Sequence, residues 1–193
     1  MSRDKKFSTA DLFDTTHSLL MKYGYEGFSF SILAEAMQVS RAAIYKYYKN
    51  KDDLIIDFML HEMNKMMAEI KEMDTTVDFF GQLDQLLTLI FRYKDIHQIL
   101  EMFHYICKSN STGMMEKKEH LERLHLDMYR RLNGFIDTGK GEGLLREHIP
   151  NDVILGYIFQ SIAIPNHQGR DNDEWVTFVK DIILHGIYRS VNK

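Results

Sequence analysis

The segment VSRAAIYKYYKNKDDLI, residues 39–55, holds three tyrosines, three lysines and one arginine before it becomes acidic. Tyrosine hydroxyls and cationic side chains donate hydrogen bonds to phosphate oxygens, and the N-terminus of a helix attracts anions through its free N–H groups. The composition of this segment therefore indicates a surface that binds an anionic partner such as a nucleic-acid backbone.

The charge of the chain is unevenly distributed. The 193 residues carry a formal net charge of −4, which argues against a general nucleic-acid binder. Residues 1–51 nevertheless contain eight Lys or Arg against five Asp or Glu, whereas residues 52–193 contain sixteen against twenty-three. A basic N-terminal part on an acidic body favours one local anion-binding surface near the N-terminus.

Composition and periodicity predict an all-α fold of about nine helices. Apolar residues make up 45% of the chain, only two prolines occur, and no run of alternating β-branched residues is visible,. Side-chain caps predict helix starts at Ser8, Ser29, Ser40, Asn50 and Thr75, with Gly24 ending the first helix and the third ending at about Tyr48. Further helices are predicted over 76–92, 95–108, 115–139, 151–166 and 172–190.

Several functional classes find no support in the sequence. The longest apolar stretch, VILGYIFQSIAI at 153–164, is too short to cross a bilayer,, so we expect a soluble, cytoplasmic protein with no membrane partner. Cys107 has no second cysteine to pair with, and Glu122 with His125 lacks the further ligands of a metal site. No glycine-rich phosphate loop or nucleophile elbow occurs, so we predict no enzyme, no cofactor and no metal.

Two short helices near the N-terminus are separated by the three residues 37–39, and Ser40 caps the second. This spacing is typical of a helix-turn-helix, whose second helix enters the major groove of DNA. Its inner face requires small or branched apolar residues, here Ala34, Val39 and Ile44. Its outer face, where small residues let the backbone approach bases and long ones reach phosphates or base edges, consists of Arg41, Ala42, Ala43, Lys46 and Tyr47.

The segment GYEGFSFSILAEAMQVSRAAIYKYYKNKDDLI, residues 24–55, resembles the N-terminal signature of the TetR family of transcriptional repressors. The matching elements are Gly24, Leu33-Ala34, Val39-Ser40, Ile44-Tyr45, the aromatic residue at 48, Lys51 and Leu54. The resemblance implies a helix-turn-helix DNA-binding domain at residues 1–50 and a helical effector-binding and dimerisation domain at residues 51–193.

The resemblance also implies contacts with DNA residue by residue. Phosphate contacts fall on Ser29, Ser31, Ser40, Tyr45, Tyr47 and Lys51, and contacts with base edges fall on Arg41, Ala42, Ala43 and Lys46. The alternative for the tyrosines is packing over the small core of the domain, and we favour that alternative for Tyr48.

This sequence departs from the family pattern at a few positions. Gln38 replaces the usual glycine of the turn, and a left-handed Gln38 costs about 1 kcal/mol. Ala42-Ala43 replaces the common glycine-threonine pair, and Thr15-Thr16 replaces paired small residues in the first helix. These departures leave the predicted fold intact but make the preferred bases unpredictable.

Residues 52–193 are rich in methionine and aromatic residues, which form cores but also line adaptable apolar cavities. Core packing is the better interpretation for any one of them, whereas the set as a whole predicts an effector site, as the resemblance also implies. The candidate ligand-binding residues are Met63, Met67, Phe91, Met102, Phe103, His104, Tyr105, His125, Met128 and Tyr129.

The last two predicted helices are apolar on more than one side, so each requires a partner beyond its own core. The same two helices in a second copy would supply that partner with twofold symmetry, and the resemblance implies the same homodimer. The candidate interface residues are Ile154, Ile158, Ile162, Val176, Val179, Ile183 and Ile187.

Together these patterns predict a repressor that binds a palindromic double-stranded DNA operator as a homodimer and is released by a small apolar or amphipathic effector. A small-molecule binding protein of the same fold that does not regulate DNA is the alternative, which Gln38 and Ala42-Ala43 keep open. Operator binding by the purified protein separates the two.

Overall fold

The computed structural model of the chain describes residues 7–101 and 112–186. Within these two ranges the secondary structure consists of nine α-helices and one 3₁₀ turn, without a β-strand. The prediction of an all-α fold is therefore confirmed. None of the helices in these ranges combines the length and the apolar character needed to cross a membrane.

The helices follow one another mostly through short connections. In chain order they are α1 (Thr9–Gly27), α2 (Phe30–Ala36), α3 (Arg41–Tyr45), α4 (Lys51–Glu72), α5 (Phe79–Arg92), α6 (Lys94–Glu101), α7 (Thr112–Gly141), α8 (Asn151–Gln160), the 3₁₀ turn Ser161–Ala163, and α9 (Asn172–His185). The ends predicted for the sixth and the last helix, at 108 and 190, lie outside the described residues.

The first four helices begin at the caps that the sequence predicts. Ser8 and Asp11 form a reciprocal capping box, in which each backbone N–H donates to the other side chain at 3.0 Å. The hydroxyls of Ser29 and Ser40 each accept a hydrogen bond from the backbone N–H three residues further on. Asn50 accepts from the N–H of residue 53 at 2.9 Å. These bonds satisfy N–H groups that the helices leave free.

The third helix is shorter than predicted. It ends at Tyr45 and not at about Tyr48, because the chain tightens there into a turn in which Tyr47 N–H donates to the carbonyl of Ile44 at 2.9 Å. The first helix is interrupted where the sequence predicts its end, since Gly24 has a positive φ of 65°. A last helical turn then continues to residue 27.

Two later boundaries also differ from the prediction. The fifth helix begins at Phe79 because the carboxylate of Asp78, and not the hydroxyl of Thr75, caps it by accepting the Gly81 N–H at 2.8 Å. The eighth helix ends at Gln160, where the backbone changes to the 3₁₀ turn.

The chain divides into two compact units. The first comprises Met1–Lys65 and Asp95–Leu124, and the second comprises Met66–Lys94 and His125–Lys193. Residues of α4 and of α7 therefore occur in both units. The domain boundary predicted at residue 50 remains a prediction.

The core of the first unit joins its four N-terminal helices. Leu20 of α1, Leu33 of α2, Ile44 of α3 and Phe58 of α4 are almost completely buried. Phe58 also contacts the ring of Phe13 edge to face, with the ring centroids 5.9 Å apart. Because burial of each such side chain stabilises by about 1.5–3 kcal/mol, α2 and α3 are held on a fixed base.

In the second unit, α5 and α7 approach closely at a glycine. The rings of Phe79 and Phe135 stack with centroids 4.7 Å apart and an interplanar angle of 4°. A Cβ atom at Gly139 would lie 2.4 Å from Cε2 of Phe79. Glycine at this position therefore allows α7 to pass against the aromatic pair.

Gln38 has a φ of 56°, and among the described residues it is the one position where a residue other than glycine has a positive φ. A substitution at this position therefore tests backbone strain. Gln38→Gly should raise the free energy of unfolding by about 1 kcal/mol, since glycine adopts this conformation without a Cβ clash. Glu35→Gly, at an exposed position inside α2, should lower it by about 1 kcal/mol. Urea unfolding measures both, and two changes of the same sign would contradict strain at Gln38.

Candidate functional site

The helices α2 and α3 form a compact helix-turn-helix. The turn is closed by hydrogen bonds from Val39 N–H to the carbonyl of Ala34 (3.0 Å) and from Gln38 N–H to the carbonyl of Glu35 (3.1 Å), a closure that is typical of a left-handed residue after a helix. Ala34 and Ile44 are buried and Val39 is half-buried. The three residues therefore lie on the inner face, as the sequence predicts.

The outer face of α3 and the turn after it carry most of the predicted DNA contacts. Arg41, Ala42, Lys46 and Tyr47 are exposed. The guanidinium of Arg41 donates from Nη1 to the hydroxyl of Ser31 at 3.2 Å. The structure thus brings together two of the predicted contact residues, and Ser31 holds the arginine against the N-terminal turn of α2.

Two tyrosines of this surface are exposed, and the ring of each contacts one other aromatic ring. Tyr45 meets Phe30 edge to face at 5.1 Å between centroids, and Tyr47, which is 62% exposed, lies 5.4 Å from Phe7. Neither hydroxyl forms a hydrogen bond within the described part of the chain. An exposed phenol whose donor has no internal partner suits a phosphate oxygen, and the phosphate contacts remain predictions.

Tyr48 differs from the other two tyrosines. It is half-buried, and its burial, followed by the charge of Asp57 and a hydrogen bond to that carboxylate, raises the pKa of Tyr48 to about 12. This environment agrees with core packing and not with a surface that contacts a ligand.

Ala43 departs from the predicted set of base-facing residues. It is only 8% exposed, and its N–H donates to the Ser40 hydroxyl at 3.2 Å. The prediction that Ala43 faces base edges is wrong, because its methyl group belongs to the core of the helix-turn-helix. Ser29 and Ser40 use their hydroxyls as helix caps, and phosphate contacts by these serines remain predictions.

Lys51 connects the start of α4 to the end of α1. Its ammonium donates to the carbonyls of Tyr25 (2.7 Å) and Phe28 (3.4 Å) and lies 4.1 Å from the centroid of the Tyr25 ring. The neighbouring Asp52 accepts a hydrogen bond from the Tyr25 hydroxyl at 2.7 Å. We call these four residues the α1–α4 clamp. A phosphate contact by Lys51 stays a prediction, to which the structure adds this intramolecular role.

The clamp is partly shielded from solvent. Burial, and then the hydrogen bond and the charge of Asp52, raise the pKa of the Tyr25 phenol above its ordinary value. Tyr25 therefore stays protonated at neutral pH and acts as the donor to Asp52.

The residues predicted to bind an effector are mostly core residues in the described structure. Buried side chains are those of Met63, Met67, Phe91 and Met128. The exposed His125 stacks on the half-buried Tyr129 at 5.0 Å, and Tyr129 lies 5.7 Å from Phe159. Outside the described residues lie Met102, Phe103, His104 and Tyr105. An effector site on this set remains a prediction.

Two residues of the predicted dimer interface cannot face a partner. Ile158 and Val179 are 2% and 3% exposed, so their placement in an interface is wrong, because each packs into the core of its own chain. Half-buried positions are Ile154, Ile162, Val176 and Ile183, and Ile187 lies outside the described residues.

The exposed apolar residues of these helices are different ones. Val153 and Tyr157 lie one turn apart on α8, and Phe178 lies on α9; all three are largely exposed. Because residues four positions apart lie on the same face of a helix, the spacing of 153 and 157 could have indicated an exposed apolar face. Sequence reasoning also missed Arg146 and His185, which line a cavity in the second unit.

The N-terminal helices are similar to those of a known protein family. Residues 12–58 match the family model of bacterial regulatory proteins, tetR family. A helix-turn-helix transcriptional regulator of Haemophilus influenzae is 32% identical over 87 residues, which are 45% of this chain and 46% of that protein. YhgD of Bacillus subtilis, also a helix-turn-helix transcriptional regulator, is 20% identical over 127 residues, 65% of each chain. The chain thus spans about half and about two thirds of these relatives.

Solved structures share the fold over nearly the whole chain. The regulator FadR from Bacillus subtilis in complex with stearoyl-CoA has a TM-score of 0.67 at 18% identity, with 94% of this chain and 100% of that chain covered. AibR in complex with isovaleryl coenzyme A and operator DNA has a TM-score of 0.71 at 16% identity, with 91% and 97% covered. At such identities the similarity establishes the fold.

Removal of the Lys51 ammonium should loosen the α1–α4 clamp. Lys51→Met is expected to lower the free energy of unfolding by about 1–2 kcal/mol, because two carbonyls lose a charged donor at a partly buried site. Lys49→Met, at an exposed lysine two residues away, should change it by less than about 0.5 kcal/mol. Equal effects of the two substitutions in urea unfolding would show that the clamp does not stabilise the fold.

Proposed function

We propose that this chain, whose residues 12–58 match the family model of bacterial regulatory proteins, tetR family, is a sequence-specific DNA-binding regulator of transcription. It acts as a repressor that binds a palindromic operator as a homodimer in the cytoplasm. A small amphipathic effector releases it. The observation that carries the proposal is the helix-turn-helix outer face, on which Arg41, Lys46 and Tyr47 are exposed around a buried inner face.

The exposed residues of α3 divide into two roles by their chemistry. Arg41 is long, cationic and held by Ser31, so it reaches base edges and donates to guanine acceptors in the major groove. Tyr45 and Tyr47 present free hydroxyls, which donate to phosphate oxygens and position the helix without reading sequence. Ala42 has a small exposed side chain, so it lets the backbone of α3 approach the groove.

In a homodimer, the second copy recognises the second half-site of the operator. Val153, Tyr157 and Phe178 expose apolar surface on α8 and α9, and a second copy covers it with twofold symmetry. Two identical helix-turn-helix units then meet half-sites about 34–36 Å apart, one helical turn of DNA, or a related spacing. A palindromic operator follows from that symmetry.

The effector acts by changing the separation of the two DNA-binding units. FadR and AibR, which share the fold, bind stearoyl-CoA and isovaleryl coenzyme A in their structures, and this supports an amphipathic effector for the present chain. A tenfold to hundredfold release from DNA requires a coupling free energy of only about 1.4–2.7 kcal/mol. A modest preference of the effector for one separation is therefore sufficient.

Two substitutions on the outer face should have different signatures. Tyr47→Phe should weaken binding about fivefold for every duplex, because one phosphate hydrogen bond of about 1 kcal/mol is lost. Arg41→Ala should instead lose discrimination at one base pair of each half-site, by about 1–3 kcal/mol. Fluorescence anisotropy with the preferred duplex and its single-base variants measures both effects.

Tyr23→Phe is the matched control, since Tyr23 is an exposed tyrosine of α1 outside the helix-turn-helix, and it should leave the affinity unchanged. An equal loss on all duplexes for Arg41→Ala would remove its base-reading role. Loss of affinity for Tyr23→Phe as large as that for Tyr47→Phe would place the DNA elsewhere.

A charge on the proposed dimer surface should separate the copies. Tyr157→Glu is expected to shift sedimentation from dimer to monomer at micromolar concentration, because the carboxylate would be buried against apolar surface. Leu126→Glu, at an equally exposed leucine of α7, should leave the dimer intact. A dimer that survives Tyr157→Glu would contradict pairing through this face of α8.

A further inference from the structure

The second unit contains a cavity whose lining includes none of the predicted effector residues that belong to the described part of the chain. Its volume is about 670 Å³, and its walls come from α5, α7, the connection 142–149, α8 and α9. We call it the C-terminal cavity. Ligand pockets in proteins commonly span about 300–1,000 Å³, so the space suits a small molecule.

The interior of the C-terminal cavity is apolar, with lining residues such as Phe79, Leu83, Ile136, Ile154 and Ile183. Among the lining residues that the structure describes, the ionisable ones are Arg146, His185 and Tyr157, and none is an aspartate or a glutamate. The lining of the cavity is therefore mostly apolar and carries a positive charge at Arg146.

Arg146 is available to a ligand. Its side chain is exposed and forms no ion pair or hydrogen bond within the described part of the chain, while its backbone carbonyl accepts from the Ile149 N–H at 3.2 Å. His185 has a carboxylate near it, since its Nε2 lies 3.9 Å from Oδ1 of Asp181 on the same helix. The guanidinium of Arg146 is thus a cationic lining group whose N–H donors are free, and guanidinium pairs bidentately with carboxylate or phosphate.

The connection that carries Arg146 is anchored at both ends. Lys140 Nζ donates to the carbonyl of Ile149 at 2.6 Å, and Asn151 Nδ2 donates to Asp137 Oδ1 at 2.7 Å. The backbone N–H of Leu144 also donates to the carbonyl of Gly139 at 2.9 Å. Because these bonds fix the wall before any ligand arrives, binding costs little reorganisation.

We propose that the C-terminal cavity binds an amphipathic anion: an apolar chain or ring system that fills the interior and carries one acid group that pairs with Arg146. The apolar lining excludes a small polar anion, and the absence of acidic lining residues excludes a cation. This inference names the class of effector and its place, and in that respect it rests on the proposed regulatory function. Binding itself does not depend on that function.

The C-terminal cavity shares residues with the proposed dimer surface, so a bound ligand can affect dimerisation. Tyr157 and Val153 line the cavity and are also exposed on the α8 surface that we assign to the second copy. A ligand that moves either side chain alters the surface offered to the partner. The effector thereby changes the pairing of the two chains.

The location is tested by fluorescence quenching in the full-length chain. Leu144→Trp places a reporter at an exposed lining residue, and Leu126→Trp places one at an exposed leucine outside the lining; both carry Trp175→Phe, so that one tryptophan remains. Titration with 12-bromododecanoate should quench the reporter at 144, through contact with bromine, and leave the reporter at 126 unaffected. Equal quenching at both positions, or none at 144, would overturn the location.

The role of the acid group is tested by isothermal titration with dodecanoate and dodecan-1-ol. Arg146→Gln should weaken dodecanoate binding about tenfold, the loss expected for a charge-assisted hydrogen bond, and leave dodecanol binding unchanged. Arg131→Gln, an exposed arginine of α7 outside the lining, should change neither. Equal losses for acid and alcohol, or dodecanoate binding that is insensitive to Arg146→Gln, would contradict the pairing.

These results separate the inference from the proposed function. Specific DNA binding without quenching of the reporter at 144 would refute ligand binding in the C-terminal cavity and leave the proposed regulatory function standing. Quenching at 144 in a chain that selects no DNA sequence would establish the site and remove its regulatory role.

Discussion

The ammonium of Lys51 holds the N-terminal helices in place. It donates to the carbonyl of Tyr25 in the last turn of α1 and to that of Phe28 directly after the helix, and Asp52 in the next position accepts from the Tyr25 hydroxyl. The end of a helix leaves carbonyls without partners, and a cation placed there also complements the helix dipole. Because α2 packs against α1 and α3 packs against α2, a fixed end of α1 also fixes the position from which α3 presents its outer face.

Local interactions could be predicted from the sequence, and interactions of tertiary packing could not. The caps at Ser8, Ser29, Ser40 and Asn50 depend on residues three positions apart, so the sequence contains all of their determinants,. The left-handed backbone at Gln38 agrees with the resemblance, which has a glycine at this position of the turn. The burial of Ala43 was missed because helical spacing alone does not say how wide the buried stripe of a five-residue helix is,.

The same limit applies to the second unit. The apolar residues of α8 and α9 cannot be told apart by their pattern in the sequence, and only tertiary packing decides that Ile158 is buried while Tyr157 is exposed. The C-terminal cavity combines residues from four helices and a connection, which no periodicity relates. The position of Arg146 nevertheless agrees with the charge distribution of the sequence. Although the chain is acidic overall, cationic side chains lie at both surfaces proposed to bind anions, the outer face of the helix-turn-helix and the C-terminal cavity.

Selection of bound duplexes from a random DNA library, repeated at several salt concentrations, tests most directly whether this chain reads DNA as a twofold dimer. A dimer with two helix-turn-helix units predicts one palindromic motif, half-sites about 34–36 Å apart or at a related spacing, and affinity that falls steeply with salt. Recovery of no common motif at any salt concentration would contradict a sequence-specific regulator and leave ligand binding as the function of the fold.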